Sequence, residues 1–488
     1  MNKTLRKEYI DKAFLLHNAG KIQEAKNLYK KILGENPDDS EVLNLIGICE
    51  YQNEDFESAQ KYVTEALTIR PKHYYYETLA QIYAQQNNIE QELKTLLEAE
   101  KAIGLDYNLA FRLAYLYKKL NDYGNAEKYY ILSIQQNPKS KDAYFNLASI
   151  YSSQKKYFNE KECYLKALEI NPNDEEIKYF LAINSFRLKN YEMGLPLFEN
   201  RLCKKAAIET QKHTYPNILN ETNLWRGEDI SNKTLYTYYE AGFGDMIMFA
   251  RYLPLIKCKK IILKTQTELT QLFKDNFHNV EIMDQFYPEK DLKFDVHVPF
   301  LSIPHMLGLS TQEMFISNKK YLISNGPKVK KYKREYFNND KFKIGIKWQG
   351  NTYYETKRVI NVEAFSELFN IDNTQIYSLQ TGAGSDDLSK LTEKFNIIDL
   401  GKSFKDFSYT AAAIKNLDLI ICNDTSIAHL AGAMNKPCIV LLPYNYNWRW
   451  HTNTTYCDWY KSVRLFTQNK DESWDSVMNR VIKTVQLY

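Results

Sequence analysis

A 34-residue period runs through the first two hundred residues and dictates how that half of the chain must fold. Pro37 and Pro71 stand 34 apart, as do Pro138 and Pro172. The 67 residues from Pro71 to Pro138 leave room for one unit without the proline, with Gly104 near its place. Small residues recur where a first helix would end, at Gly47, Ala80, Ala114, Ala148 and Ala182. They recur again where a second helix would begin, at Ala25, Ala59, Ala126 and Gly194. A larger knob follows in each unit: Tyr29, Val63, Leu96, Tyr130, Tyr164 and Phe198. Small residues let two antiparallel helices approach, the knob fills the gap above them, and proline stops the second helix. The spacing predicts about six helical hairpins over residues 6–205, stacked as an α-solenoid.

This pattern resembles the tetratricopeptide repeat. A solenoid of that kind has a groove and no chemistry of its own, so the expected role is to hold a peptide or protein, or to pair with a second copy. The sixth position of successive units reads Asp11, Leu45, Thr78, Arg112, Asn146 and Phe180. No asparagine ladder that would clamp a peptide backbone follows from it. The last unit, with Gly194 and Phe198, passes into the next domain without a long Gly/Ser linker, and rigid packing is expected there.

At 488 residues the chain is too long for one core, and two or three domains are expected. A net charge of +4 with no dense basic stripe argues against a nucleic-acid partner. The basic run Lys328 to Arg334 reads as a linker. The seven cysteines are scattered and form no C-x-x-C pair, which fits reduced thiols and no structural zinc. The polar start and the lack of a long apolar run predict a cytoplasmic protein without a membrane span.

From about residue 233 short β-rich runs alternate with helical stretches. The runs are Thr234–Tyr239, Lys260–Lys264, Val280–Met283 and Phe294–Pro299, then Phe342–Trp348, Gln375–Leu379, Phe395–Leu400, Leu417–Cys422 and Cys438–Leu442. Such alternation means parallel sheets covered on both faces. Two sets separated by a polar stretch (325–341) predict two Rossmann-like lobes, with ligands at the carboxyl ends of the strands.

Two of those strand ends carry candidate chemistry. The first run ends in Glu240-Ala241-Gly242-Phe243-Gly244-Asp245. Its glycines allow a tight turn and close approach to a ligand, while Asp245 is either a helix cap or a functional carboxylate. The second is Asn423-Asp424-Thr425-Ser426, followed by His429 one turn on. Asp424 or Thr425 is either an N-cap or, with the helix-start amides, Ser426 and His429, part of a diphosphate site.

These loops, G-F-G-D at 242–245 and N-D-T-S-I-A-H-L-A-G-A at 423–433, resemble the cleft motifs of heptosyltransferase-like glycosyltransferases of family 9, with the GT-B fold. Ile344 to Asn351, Ser378-Leu379-Gln380, Asn447-Trp448-Arg449-Trp450 and Trp459-Tyr460 extend the likeness, which is nearest to bacterial proteins that join tetratricopeptide repeats to such a domain. It implies an acceptor-side lobe over 206–325 and a nucleotide-sugar-binding lobe over 326–488. It also implies Asp245 as general base, with Gly242 and Gly244 beside it. Lys347, Lys357, Arg358, Asp424, Thr425, Ser426 and His429 would serve the donor phosphates, Gln380 would lie near the nucleoside, and Gln349, Gly242 and Gly244 would belong to the same substrate-binding set. Trp448 and Trp450 either stack on a sugar or pack the cleft. No Asp-x-Asp occurs in the chain, so a metal-independent reaction with no cofactor beyond the nucleotide-sugar substrate is expected. The acceptor would be a protein recruited by the repeats, or a saccharide. The competing readings are an interaction scaffold with an inactive transferase-like domain and a nucleotide-sugar epimerase, for which a peptide groove has no use.

Overall fold

The computed structural model describes residues 3–203, 223–288, 292–312, 319–350, 358–392, 394–450 and 455–487. Contacts divide the chain into two units, Met1–Asn173 and Asp174–Tyr488.

The first unit is a run of helices from α1 (Lys3–Asn18) to α10 (Tyr157–Ile170), packed as five consecutive hairpins. The small-and-knob logic is visible at Gly47, where an added Cβ would lie 2.5 Å from a Val63 methyl and 3.3 Å from the Ala59 carbonyl oxygen. The turn within each hairpin repeats as well. Gly20, Glu54, Asn87, Asn121 and Lys155 all take positive φ, between 56° and 75°. The next residue's amide then reaches back five residues, as from Asp55 to Glu50 (2.9 Å) and from Lys156 to Tyr151 (2.8 Å). In several units that residue also caps the second helix: Asp55 accepts from Ser58 N, Asn88 from Gln91 N and Asp122 from Asn125 N.

A sixth hairpin, α11 (Glu175–Arg187) and α12 (Tyr191–Phe198), continues the period with Lys189 at φ 59° and Asn190 as the cap. The repeats run to residue 205 in sequence, yet this hairpin packs within the second unit. Phe186 lies 4.6 Å from Trp448, ring to ring. The Arg201 guanidinium, in the turn Glu199–Cys203, makes two 2.9 Å bonds to the Glu240 carboxylate.

The rest of the second unit holds two all-parallel sheets. The first has the order β3-β2-β1-β4, from β1 (Ile230–Tyr238), β2 (Cys258–Thr265), β3 (Val280–Asp284) and β4 (Val296–Pro299). The second has the order β10-β9-β8-β5-β6-β7, from β5 (Phe342–Lys347), β6 (Thr374–Ser378), β7 (Ile397–Asp399), β8 (Leu419–Asn423), β9 (Cys438–Leu442) and β10 (Val463–Thr467). The molecule is thus a helical-repeat solenoid followed by a two-lobed α/β region. Ile344, Ile346, Leu419 and Ile421 pack on one face of the second sheet with Val477 and Val481 of the final helix.

Two sequence expectations change. The basic run Lys328–Arg334 lies in a helix (Gly326–Tyr336), not a linker. Asn325 caps it through Lys328 N, Pro327 sits in its first turn, and Val329, Tyr332 and Tyr336 form an apolar stripe. The edge strand β10 was not read as a strand: it is five residues long and only two of them, Val463 and Leu465, are buried.

A non-glycine residue pays for left-handed backbone. Lys155→Gly should stabilise the first unit by up to about 1 kcal/mol, whereas Lys155→Val should destabilise it by a similar amount. Denaturant melts of the two variants check both signs.

Candidate functional site

The site begins where β1 ends. Gly242 caps the short helix Phe243–Phe249 with extended backbone and no side-chain bond, so Asp245 does not act as a cap. Its carboxylate instead forms an ion pair with the Arg449 guanidinium, both groups being largely buried. Arg449 is steadied by a 2.7 Å bond to Asn447 Oδ1 and lies over the Trp448 ring.

The second loop begins where β8 ends. Thr425 holds the position before the helix Ser426–Ala433 in extended backbone, but its side chain makes no capping bond to the helix amides. Its hydroxyl donates to the Asn423 carbonyl, and Asp424 is paired with Arg358 at 3.2 Å. An uncapped helix start presents unsatisfied N–H groups and the positive end of the helix dipole, a setting suited to an anion.

The two loops meet. A Cβ on Gly244 would stand 2.9 Å from the His429 ring and 3.6 Å from Ser426 Cα, so only glycine permits this approach. His429 is buried between Trp450, stacked at 5.0 Å, and the Tyr460 hydroxyl, 3.1 Å from Nδ1. Burial, reinforced by the guanidinia of Arg449, Arg251 and Arg358, drives its pKa well below the ordinary histidine value. The ring is therefore neutral, and it serves as a seam between the loops rather than as a cation.

Lys347 closes β5 beside Cys422 of β8. It is only 6% exposed, and among the described residues it has no hydrogen-bond or ion-pair partner. Burial lowers its pKa to about 8. Gln380 follows β6, and its amide is committed to backbone: Oε1 accepts from Trp348 N and Gln349 N, and Nε2 donates to Gln349 O. Gln380 thus ties the β5 and β6 loops together. Gln349 packs against Gly384, and Gly350 against Thr425. Lys357 lies outside the described residues. Trp448 packs against Phe186, Arg449 and Trp459 and also lines a cavity, so it combines packing with a face toward open space.

The sequence reading missed Arg449 as the partner of Asp245. The signal was present in Asn447-Trp448-Arg449-Trp450, since a guanidinium between two buried indoles needs an anion nearby. Among the described residues, no three His, Cys, Asp or Glu side chains converge as a metal site. No helix among them is long and apolar enough to cross a membrane.

Residues 362–474 match Glycosyltransferase family 9 (heptosyltransferase), and residues 16–82, 107–140 and 141–174 match tetratricopeptide repeats. The chain joins tetratricopeptide repeats to a family 9 glycosyltransferase domain. The family 9 segment contains Gln380, Asp424, Thr425, Ser426, His429 and Arg449. Asp245, Gly242, Gly244, Lys347, Gln349 and Arg358 fall outside it. Over 324 residues the chain is 22% identical to Protein FlbA of Caulobacter vibrioides, covering 59% of this chain and 51% of that protein. The chain thus spans about half the length of that relative. Solved structures similar to it include YrrB, a repeat protein with an unusual peptide-binding site (15% identity, 38% of this chain and 97% of that one, TM-score 0.34). Another is the C-terminal part of a repeat protein from Cytophaga hutchinsonii (15% identity, 42% and 82%, TM-score 0.36).

The lowered pKa of Lys347 gives a test of whether its amine serves an anion in this site. With a folded-state pKa of about 8, the amine is charged at pH 7 and mostly neutral at pH 9. Affinity for inorganic pyrophosphate, taken relative to the Lys347→Met variant so that the ligand's own deprotonation cancels, should therefore fall by up to about tenfold from pH 7 to pH 9, the ratio of the charged fractions. Lys347→Met should remove that dependence and raise the melting temperature at pH 7, where the wild-type chain buries an unpaired ammonium. Calorimetric titration at the two pH values checks it.

Proposed function

We propose that this chain transfers a sugar from a nucleotide-sugar donor to an acceptor polypeptide without a metal ion. One observation carries the reading: the glycine loop bearing Asp245 meets the uncapped helix start at Ser426, and the latter lies in the family 9 segment. The donor diphosphate lies against the amides of Ser426 and Ile427, with Thr425, Lys347, Arg358 and Lys357 offsetting its charge. Asp424 holds Arg358 in place, while Gln349 and Gln380 shape the nucleoside side. The acceptor hydroxyl oxygen bonds to the anomeric carbon as the bond from that carbon to the phosphate oxygen breaks. The nucleotide leaves with the electron pair, and the hydroxyl proton passes to Asp245. Arg449 fixes the direction in which that carboxylate points. Donor-phosphate charge is met by helix-start amides and cations in place of a divalent ion, in keeping with the missing Asp-x-Asp. The seven free thiols fit a reducing, cytoplasmic setting. The repeats supply the surface that recruits the protein, or pair two copies.

A thermal-shift panel of nucleotide sugars tests donor binding. A true donor at a hundred times its Kd should stabilise the full chain by about 2.7 kcal/mol. The rise in Tm should persist in EDTA, and a shift seen only with added divalent metal would overturn the metal-free assignment. Asp245→Asn should then lower turnover by about 10²–10⁴-fold at saturating donor while leaving donor affinity near the wild-type value. Near-normal turnover in that variant would reduce Asp245 to an ion-pair partner of Arg449.

A further inference from the structure

A cavity of about 350 Å³ opens in the second unit beside the Asp245–Arg449 pair. Its walls come from four places, one of them the end of the last repeat with Phe198 and Arg201. Helix α11 contributes Tyr179, Phe180, Ile183 and Arg187, three of them apolar or aromatic and all on one helical face. The carboxyl ends of β1 and β4 contribute Glu240, Ala241 and Leu301. The segment Asn447–Arg449 closes the side toward Asp245.

What is missing from these walls is as informative. Lys347, Gln349, Gln380, Asp424, Thr425 and Ser426 do not line the cavity. The strand ends that do line it belong to the first sheet, whereas every group assigned to the donor belongs to the second. The carboxylate in the cavity is also already satisfied: Glu240 takes both its bonds from Arg201 and another from Leu301 N. The remaining lining combines the ring and hydrocarbon surface of Tyr179, Phe180, Ile183, Phe198 and Trp448 with the guanidinium groups of Arg187, Arg201 and Arg449, planar cations that also stack on aromatic rings. At 350 Å³ the space is near the lower end of ligand pockets, about 300–1,000 Å³, so it takes one large side chain and not an extended saccharide.

We infer that this cavity is the acceptor subsite, and that it takes an apolar or aromatic side chain of a polypeptide next to the hydroxyl that receives the sugar. The inference rests on the transferase reading above and deepens it: helix α11 of the sixth repeat is itself a wall of the acceptor site. An anchor residue seated against Phe180 and Ile183 holds the neighbouring hydroxyl beside Asp245, converting recruitment into positioning.

Two probes test this on the full chain by ligand-observed NMR: the peptide acetyl-Gly-Ser-Phe-Gly-amide, and the same peptide with Gly in place of Phe. Methyl glucoside serves as the saccharide control. The Phe peptide should bind, and the Gly peptide should bind at least about tenfold more weakly. Ile183→Trp, which fills the cavity, should weaken the Phe peptide by about tenfold or more. Phe180→Ala, which enlarges it and avoids overpacking, should also weaken it, with melting curves confirming that each variant is folded. Equal binding of the two peptides, unchanged binding in both variants, no peptide binding at all, or methyl glucoside binding in the peptide's stead would each overturn the inference. Donor binding measured on the same samples separates the two levels. A Tm shift with nucleotide sugars but no peptide effect defeats the subsite alone, while the absence of any donor shift defeats the transferase reading.

Discussion

The Arg201–Glu240 pair is the constraint on which the site depends. Both side chains are almost fully buried, and every charged atom has a partner. Arg201 binds both Glu240 oxygens, Glu199 Oε1, the Phe198 carbonyl and Ser302 Oγ, while the Ser302 hydroxyl donates to Glu199. Removing one partner of such a pair typically costs about 3–5 kcal/mol because the other charge is left buried alone. The location matters more than the energy. Arg201 closes the last repeat, and Glu240 is the first residue of the glycine loop that carries Asp245. A repeat element and a loop bearing a candidate base are thereby locked in one register.

A second lock joins the two sheets. His429 sits against Gly244, and nearby Arg251 is buried within 5.1 Å of the ring centroids of Tyr321, Trp459 and Tyr460. Its Nε also donates to the Met248 carbonyl. Cation–π contacts suit a guanidinium better than an ammonium here, since the planar group lies between rings. The consequence for chemistry is electrostatic. Arg251, Arg358 and Arg449 surround a histidine that burial already keeps neutral, so positive charge in the cleft resides on guanidinia and on Lys347.

Much of this was legible in sequence. The period in Pro, small and knob residues marked the hairpins, and the strand runs through β9 were visible because buried parallel strands read as continuous apolar stretches. The two loops stood out by their glycines and by acidic and hydroxyl residues at strand ends. What stayed hidden has physical causes. The helix Gly326–Tyr336 looked like a linker because its exposed lysines outnumber its apolar stripe. Gln380 looked like a ligand contact, since nothing in sequence shows an amide spent on two backbone segments. Trp448 is equally fit in sequence for stacking or packing, and its contact with Phe186 beside a cavity is a tertiary fact. The packing of the sixth hairpin with the domain that follows was legible in the missing linker, whereas the boundary at Asp174 could not be read from a period that runs on unchanged through it.

The two halves of the cleft differ in how they carry information. The donor half is built from features any chain can announce: a strand end, an uncapped helix start, a lysine where an apolar residue would be expected. Those features suit phosphate, a group with one chemistry, and the helix start among them lies in the family 9 segment. The acceptor half, as proposed, draws on Tyr179, Phe180 and Ile183, residues that a repeat pattern assigns to helix packing. Phe180 occupies the sixth position of its unit, where Arg112 and Asn146 stand in earlier ones. The change from polar to aromatic there marks the point at which the repeat gives up solvent for a wall of the cavity. On the proposed reading, acceptor choice would be written in the departures of the last repeat from its neighbours, and donor chemistry in the loops.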